Sequence, residues 1–239
     1  MMPQREIEIQ RNPIERVLMA AKDIIRKNRR GFLYGLIGVI AAAGVAIGLA
    51  VYFSHRAGVE LAKFEAVMEE YRATAALDPD TRAAKAGEIA EKLKAIIDGS
   101  WFGYVNSYGK YYLGAVYFEN GRYAEAKECY RAFGSKSSSE IFAPLALQQA
   151  ARCAEMQGNL KEALEIGASI EKRFSESELA DQILYDIARL NQRNGDIFKA
   201  REYYNKIIIS FPQSLYAKKA KDSLFLLGYY EGRKKTGAQ

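Results

Sequence analysis

The sequence predicts an all-α protein in which one N-terminal transmembrane helix is followed by an α-solenoid of paired helices. Three observations carry that prediction. An uncharged apolar run extends from Phe32 to Phe53. Glycines at Gly121, Gly158 and Gly195 recur 37 residues apart, a supersecondary period. The segments around them place apolar residues at three-and-four spacing, the signature of helices with one buried face.

Charge and composition bound the function classes. The chain has 239 residues, 49% of them hydrophobic, enough for one or two domains with a core. Its net charge of +6 is concentrated at the N-terminus. Arg5, Arg11, Arg16, Lys22, Arg26, Lys27, Arg29 and Arg30 face only Glu6, Glu8, Glu15 and Asp23 there, and the remainder is nearly neutral. A short basic arm beside a hydrophobic span is a membrane-topology signal, so no nucleic-acid partner is expected.

In the arm itself, Asn12-Pro13-Ile14-Glu15 reads as a helix start, with Asn12 as cap and Pro13 in the first turn. Ile14, Val17, Leu18, Ala21, Ile24 and Ile25 then keep to one face, and Arg16, Lys22, Asp23 and Lys27 to the other. Such a helix suits the inner membrane surface. Packing on a partner protein, or continuation of the span, fits the same pattern.

From Phe32 to Phe53 no charge interrupts the sequence, and at ~1.5 Å per residue the run crosses a ~30 Å hydrocarbon layer. It is longer than the apolar region of a cleaved signal peptide, and the arm before it is long. Six basic residues from Arg16 to Arg30 precede it, against Arg56, Lys63 and Arg72 after it, which puts the N-terminus in the cytoplasm. Tyr34, Tyr52 and Phe53 supply interfacial aromatics. Small residues recur at Gly38, Ala42, Ala46 and Ala50, with Gly44 and Gly48 as a further pair. This stripe permits a homo-oligomer or docking on a polytopic membrane complex, although glycine and alanine are common in membrane helices without any such role.

Beyond the span, Val59 to Ala75 and Thr81 to Ile97 read as amphipathic helices separated by Asp78-Pro79-Asp80. The repeat begins after Gly99, in NGRYAEA, QGNLKEA and NGDIFKA, each glycine followed five residues later by alanine. The expected layout is a cytoplasmic basic arm over 1–31, the membrane helix over 32–53 and a helical pair over 54–98. Three repeats with a capping helix over 99–231 and a disordered basic tail over 232–239 complete it.

These residues resemble the tetratricopeptide repeat, an antiparallel helix pair with a small residue in its first helix, glycine at the turn and alanine in the second. Leu113, Gly114, Tyr117, Gly121, Tyr123, Ala126, Tyr130 and Phe133 fit the first repeat. Ala151, Ala154, Gly158, Leu160, Ala163 and Ile170 fit the second, and Ala188, Gly195, Ala200, Tyr204, Ile207 and Pro212 the third. The period of 37 is similar to that of periplasmic repeats of the Tol-Pal coordinator kind. The whole layout resembles bacterial membrane-anchored periplasmic repeat proteins of the YfgM-like type, which accompany the SecYEG translocon. That resemblance implies a single-pass protein of the bacterial inner membrane with a periplasmic domain and a role near translocation or periplasmic chaperoning. Scaffolds of envelope machines, including periplasmic collars around flagellar motors, share the layout and imply a structural subunit instead.

Enzymatic chemistry finds no foothold. The single histidine, His55, sits at the outer end of the span, so a nucleophile elsewhere lacks its usual base. Glu69 with Glu70 and Glu125 with Glu128 lie at helical spacing beside basic residues, as solvated faces do. No phosphate loop follows any of the glycines, and Cys129 and Cys153 belong to no metal-ligand pattern. No cofactor and no metal are expected. The two cysteines either pair in an oxidising compartment or pack as buried thiols.

Protein partners are expected on the face lined by the first helix of each repeat. The repeat geometry puts Tyr108, Tyr111 and Phe118, then Gln148, Arg152 and Met156, then Tyr185, Arg189, Gln192 and Arg193 on that face. Aromatic and arginine anchors suit a partner segment with apolar and acidic groups. The alternative for Tyr108, Tyr111 and Phe118 is core contact with the preceding helical pair. The Lys/Asn clamp by which some related repeats hold chaperone tails is not matched, since Tyr111 and Ala115 stand in its places.

Overall fold

A computed structural model describes Met19, Lys22 and residues 26–236, with side chains through Tyr229. Most of the basic arm, including the expected start at Asn12 and Pro13, lies outside the described residues, as do residues 237–239. Among the described residues the regular structure is helical: α1 (Arg29–Ala73), a 3-10 turn (Thr74–Ala76), α2 (Pro79–Gly99), α3 (Gly103–Glu119), α4 (Tyr123–Lys136), α5 (Phe142–Met156), α6 (Leu160–Phe174), α7 (Ala180–Arg193), α8 (Ile197–Ser210) and α9 (Leu215–Thr236). The chain divides into two compact units, Met1–Arg56 and Ala57–Gln239.

In the first unit the apolar part of α1 is long enough to cross a membrane, and none of it is buried by protein. Val39, Val45, Ile47 and Val51 are all more than 60% exposed, an apolar surface that only a nonaqueous environment or another protein satisfies. A Cβ added at Gly38, Gly44 or Gly48 would meet nothing within 4 Å. One helix also covers the stretch that the sequence divides at residue 53. Ser54-His55-Arg56-Ala57-Gly58 contains no proline, and a lone glycine does not stop a helix.

The second unit is built from successive antiparallel helix pairs, each packed on the next. The turn between α1 and α2 is closed from both sides. Asp78 caps α2 by accepting from the Thr81 N–H at 3.0 Å, with Pro79 opening the helix. The Arg82 guanidinium donates to the carbonyls of Thr74, Ala75 and Leu77, the first of which also accepts from the Leu77 N–H at 3.0 Å.

The 37-residue period becomes one turn made three times. Gly121, Gly158 and Gly195 have φ of 72°, 77° and 83°, the left-handed region that penalises a Cβ. Around each, the glycine N–H bonds three residues back and the next N–H five residues back, a Schellman closure: Arg122 to Tyr117, Asn159 to Ala154 and Asp196 to Asn191. The residue after the glycine then starts the second helix. Asn159 caps α6 through Glu162 N–H and Asp196 caps α8 through Lys199 N–H, whereas Arg122 offers no side-chain cap. Gly195→Val is expected to lower the melting temperature of the Ala57–Gln239 unit by several degrees, since the strained φ costs roughly 1 kcal/mol or more. An unchanged melting curve would mean that the turn tolerates another geometry.

Small residues at equivalent places let the helices approach. Gly114, Ala151 and Ala188 occupy the first helices, and Ala126, Ala163 and Ala200 the second, the alanines of the second set fully buried. Phe133, Ile170 and Ile207 fill the space beside them. One apolar cluster runs from Phe64 through Leu190, and a second joins Leu184, Ala188, Tyr204 and Ile207 to Ala217, Ala220 and Leu227 of α9. The closing helix runs past Tyr230 to Thr236, so the residues read as a tail are helical up to there.

Candidate functional site

The first helices α3, α5 and α7 carry all ten side chains expected to face a partner, and the structure sorts them into three places. Gln148, Arg152 and Met156 of α5 and Arg189 and Arg193 of α7 line one cavity of about 470 Å³, floored by Ala151, Ile170, Ile183 and Ile187. Phe118 reaches this group from α3, because the Arg152 guanidinium lies over its ring at 5.1 Å. The other four pack elsewhere.

Tyr108 and Tyr111 are half-buried in an aromatic cluster. Their rings lie 5.7 Å and 5.5 Å from Phe133 of α4, and both meet Phe142 of α5 edge-on. They therefore pack mainly on the helices that follow, with Tyr111 also touching Tyr112, whose own ring meets Phe64 of α1. Tyr185 packs on Tyr204 and Tyr216 under α8 and α9, and Gln192 accepts a hydrogen bond from the Tyr204 hydroxyl at 2.9 Å.

The centre of the cavity is a carboxylate. Glu155 is 5% exposed, and Arg189 grips it with two N–H groups, Nη2 donating to Oε2 at 2.7 Å, while Arg193 donates to its Oε1. These hydrogen bonds, from Arg189 first, hold the Glu155 carboxyl below the usual carboxylate range despite its burial. Asp186 lies 4.0 Å from Arg189 Nε, and burial pushes its carboxyl the other way, upward. Two of the three groove arginines thus already share the chain's own buried acid.

Sequence reasoning missed Glu155, although a signal was present. It lies four residues from Ala151 and follows Cys153 and Ala154, so helical spacing puts it on the buried face. Arg152, by contrast, is exposed and has no ion-pair partner among the described residues. Gln148 accepts from Gln182 at 3.2 Å, yet its own buried amide donor, Nε2, has no acceptor. An unsatisfied buried donor costs about 1–3 kcal/mol, which a ligand carbonyl or carboxylate would relieve.

Residues 108–138 and 182–214 match the profile of the tetratricopeptide repeat family. Two segments of the chain are thus similar to tetratricopeptide repeats. The matched segments are the α3–α4 and α7–α8 pairs. The α5–α6 repeat between them has the same turn and small positions but places Gly167 where the matched repeats have Tyr130 and Tyr204. Among solved structures, putative kinesin light chain TPR-like repeats from Podosopora anserina share 19% identity with a TM-score of 0.45, covering 63% of this chain and 85% of that one. BtubC (BKLC) from P. vanneervenii shares 17% with a TM-score of 0.44, covering 73% and 66%. No curated protein matches the chain.

Within the repeats, Glu155 stands where Phe118 and Gln192 stand in the other two, so the buried acid is particular to the middle repeat. Cys153 is fully buried and Cys129 half-buried, both as free thiols, and burial pushes each up to about 11, far from a nucleophilic thiolate. Among the described residues no three His, Cys, Asp or Glu side chains come together in the way a metal site requires.

Proposed function

We propose that this chain is a non-catalytic scaffold, anchored in the bacterial inner membrane by α1 with its repeats in the periplasm, that holds a protein segment in the α5–α7 cavity within an envelope complex of the translocon or chaperone kind. The observation that carries the reading is the cavity wall itself. Arg152, the outward part of Arg193, the Met156 side chain (51% exposed) and the unsatisfied Gln148 donor surround an aliphatic floor. Exposed cations, a flexible apolar side chain and a spare donor suit a segment that presents an acidic group beside an aliphatic one. The uncharged stretch of α1 and the basic residues before it support the anchor and its orientation. The YfgM-like resemblance supports the compartment.

A membrane-impermeant crosslinker added to intact spheroplasts tests both halves. The unaltered chain is expected to capture defined partners, and Arg152→Glu is expected to reduce that capture by about tenfold or more, because like charges at an interface cost several kcal/mol. Circular dichroism of the same variant should stay unchanged, since that side chain is exposed and makes no ion pair among the described residues. Undiminished capture by the folded variant would remove the cavity from partner binding, and protection of the domain from the reagent would reverse the topology.

A further inference from the structure

The last described helix of the stack, α9, carries large apolar side chains on the side that no described helix covers. α9 buries Ala217, Ala220 and Leu227 against α7 and α8. Its opposite side presents Leu215, Lys218, Asp222, Phe225 and Tyr229, all exposed, with Phe225 at 75% and Leu215 at 64%. These positions step alternately by three and four residues, which is one helical stripe and also the spacing of a coiled-coil seam.

We propose that this stripe is a self-association surface, pairing antiparallel with the same stripe of a second copy so that Leu215 meets the second copy's Phe225 and Lys218 meets its Asp222. From Leu215 to Phe225 the stripe reads apolar, cation, anion, apolar, and its reversal reads apolar, anion, cation, apolar, so an antiparallel copy is complementary at each of these four positions. A two-fold axis at the level of Ala220 makes each contact twice, as an isologous interface does. Parallel pairing would instead set Lys218 against Lys218 and Asp222 against Asp222. A lipid surface is disfavoured because Asp222 sits in the middle of the stripe. The neighbouring Lys219 is turned away, its ammonium 4.8 Å from the centre of the Tyr216 ring. From Leu215 to Phe225 the paired seam is roughly 15 Å long. That length falls short of a large permanent interface, so association is weak and depends on concentration.

Disulfide trapping of the full-length chain in detergent reads a weak contact with its register. Under mild oxidation Leu215→Cys combined with Phe225→Cys is expected to give covalent dimers, because paired positions fall within disulfide reach. Either substitution alone should trap about tenfold less, since like positions then lie about 15 Å apart along the seam. An equimolar mixture of the two single variants should again trap dimers. On the double-cysteine chain, Lys218→Glu or Asp222→Lys should each reduce trapping, and the two together should restore it. Association through the membrane helices alone would not set this register. Equal trapping by single and double variants, or no trapping by folded double variant, would overturn the proposal and assign the stripe to another occupant, a partner helix or a lipid surface.

Discussion

Arg189→Glu is expected to destabilise the repeat domain by about 3–5 kcal/mol, the usual cost of breaking a buried ion pair from one side. The reason is the neighbour rather than the exposed part of the arginine. Glu155 is 95% removed from solvent and two of the N–H groups that compensate its charge belong to Arg189. Charge reversal removes them and sets a second carboxylate beside the first, with Asp186 close by. Denaturant midpoints of the Ala57–Gln239 unit measure the loss, and Arg152→Glu on the same helix-facing cavity should shift the midpoint little. Acid titration gives a second readout. The Glu155 carboxyl is held below its ordinary value, so its contribution is present above that value and disappears as pH falls through the depressed one. Asp186, raised by burial, acts in the opposite sense, and its charged form weakens the fold as pH rises through its range. Glu155→Gln should therefore flatten the acid loss of stability, and Asp186→Asn should remove the opposing slope. A midpoint for Arg189→Glu equal to that of Arg152→Glu would show that Glu155, Arg189 and Arg193 are held together by something other than charge.

That outcome also separates what the sequence discloses from what it hides. Gly121, Gly158 and Gly195 are legible because a left-handed turn leaves few alternatives to glycine, and the alanines five residues on are legible because two helices cannot approach over anything larger. The uncharged run in α1 is legible by length. Glu155 is not, because an acid on a buried helical face looks the same in sequence whether it is solvated at the edge or clasped by arginines from the next repeat, 34 and 38 residues away. The same nonlocality turned Tyr108 and Tyr111 toward Phe133 and Phe142, and it took Tyr185 and Gln192 out of the cavity toward Tyr204. Projection along one repeat places a side chain on a face, and only the packing of the neighbouring repeat decides whether that face is open. The uninterrupted course of α1 through residue 53 was hidden for a different reason: composition changes there from uncharged and apolar to mixed and charged, while the backbone meets no residue that ends a helix.

Gly134 makes the packing between repeats directly testable. It lies near the end of α4, where an added Cβ would stand 2.6 Å from Leu147 Cγ, 2.9 Å from Leu147 Cδ2 and 3.1 Å from the Ala143 carbonyl oxygen of α5. Leucine can turn aside, but a backbone oxygen moves only with its helix. The Gly134 carbonyl is itself held from α6, accepting from Arg173 Nη1 at 2.8 Å, so the glycine is fixed on both sides. Gly134→Ala improves intrinsic helix propensity by roughly 1 kcal/mol. Overpacking in a filled interior costs about 1–3 kcal/mol, and the backbone contact puts this site toward the upper end. The net effect is expected to be destabilising for alanine and larger for valine. Gly87→Ala in α2 is the matching control, because nothing lies within 4 Å of its added Cβ and propensity alone should stabilise by about 0.5–1 kcal/mol. The same chemical change should thus move the denaturation midpoint in opposite directions at the two sites. If both alanines stabilise alike, the close approach of α4 to α5 is not what spaces the first repeat from the second. If Gly134→Ala lowers the midpoint as expected, the glycine sets that spacing, and with it the distance across which Arg152 of α5 reaches the ring of Phe118 on α3.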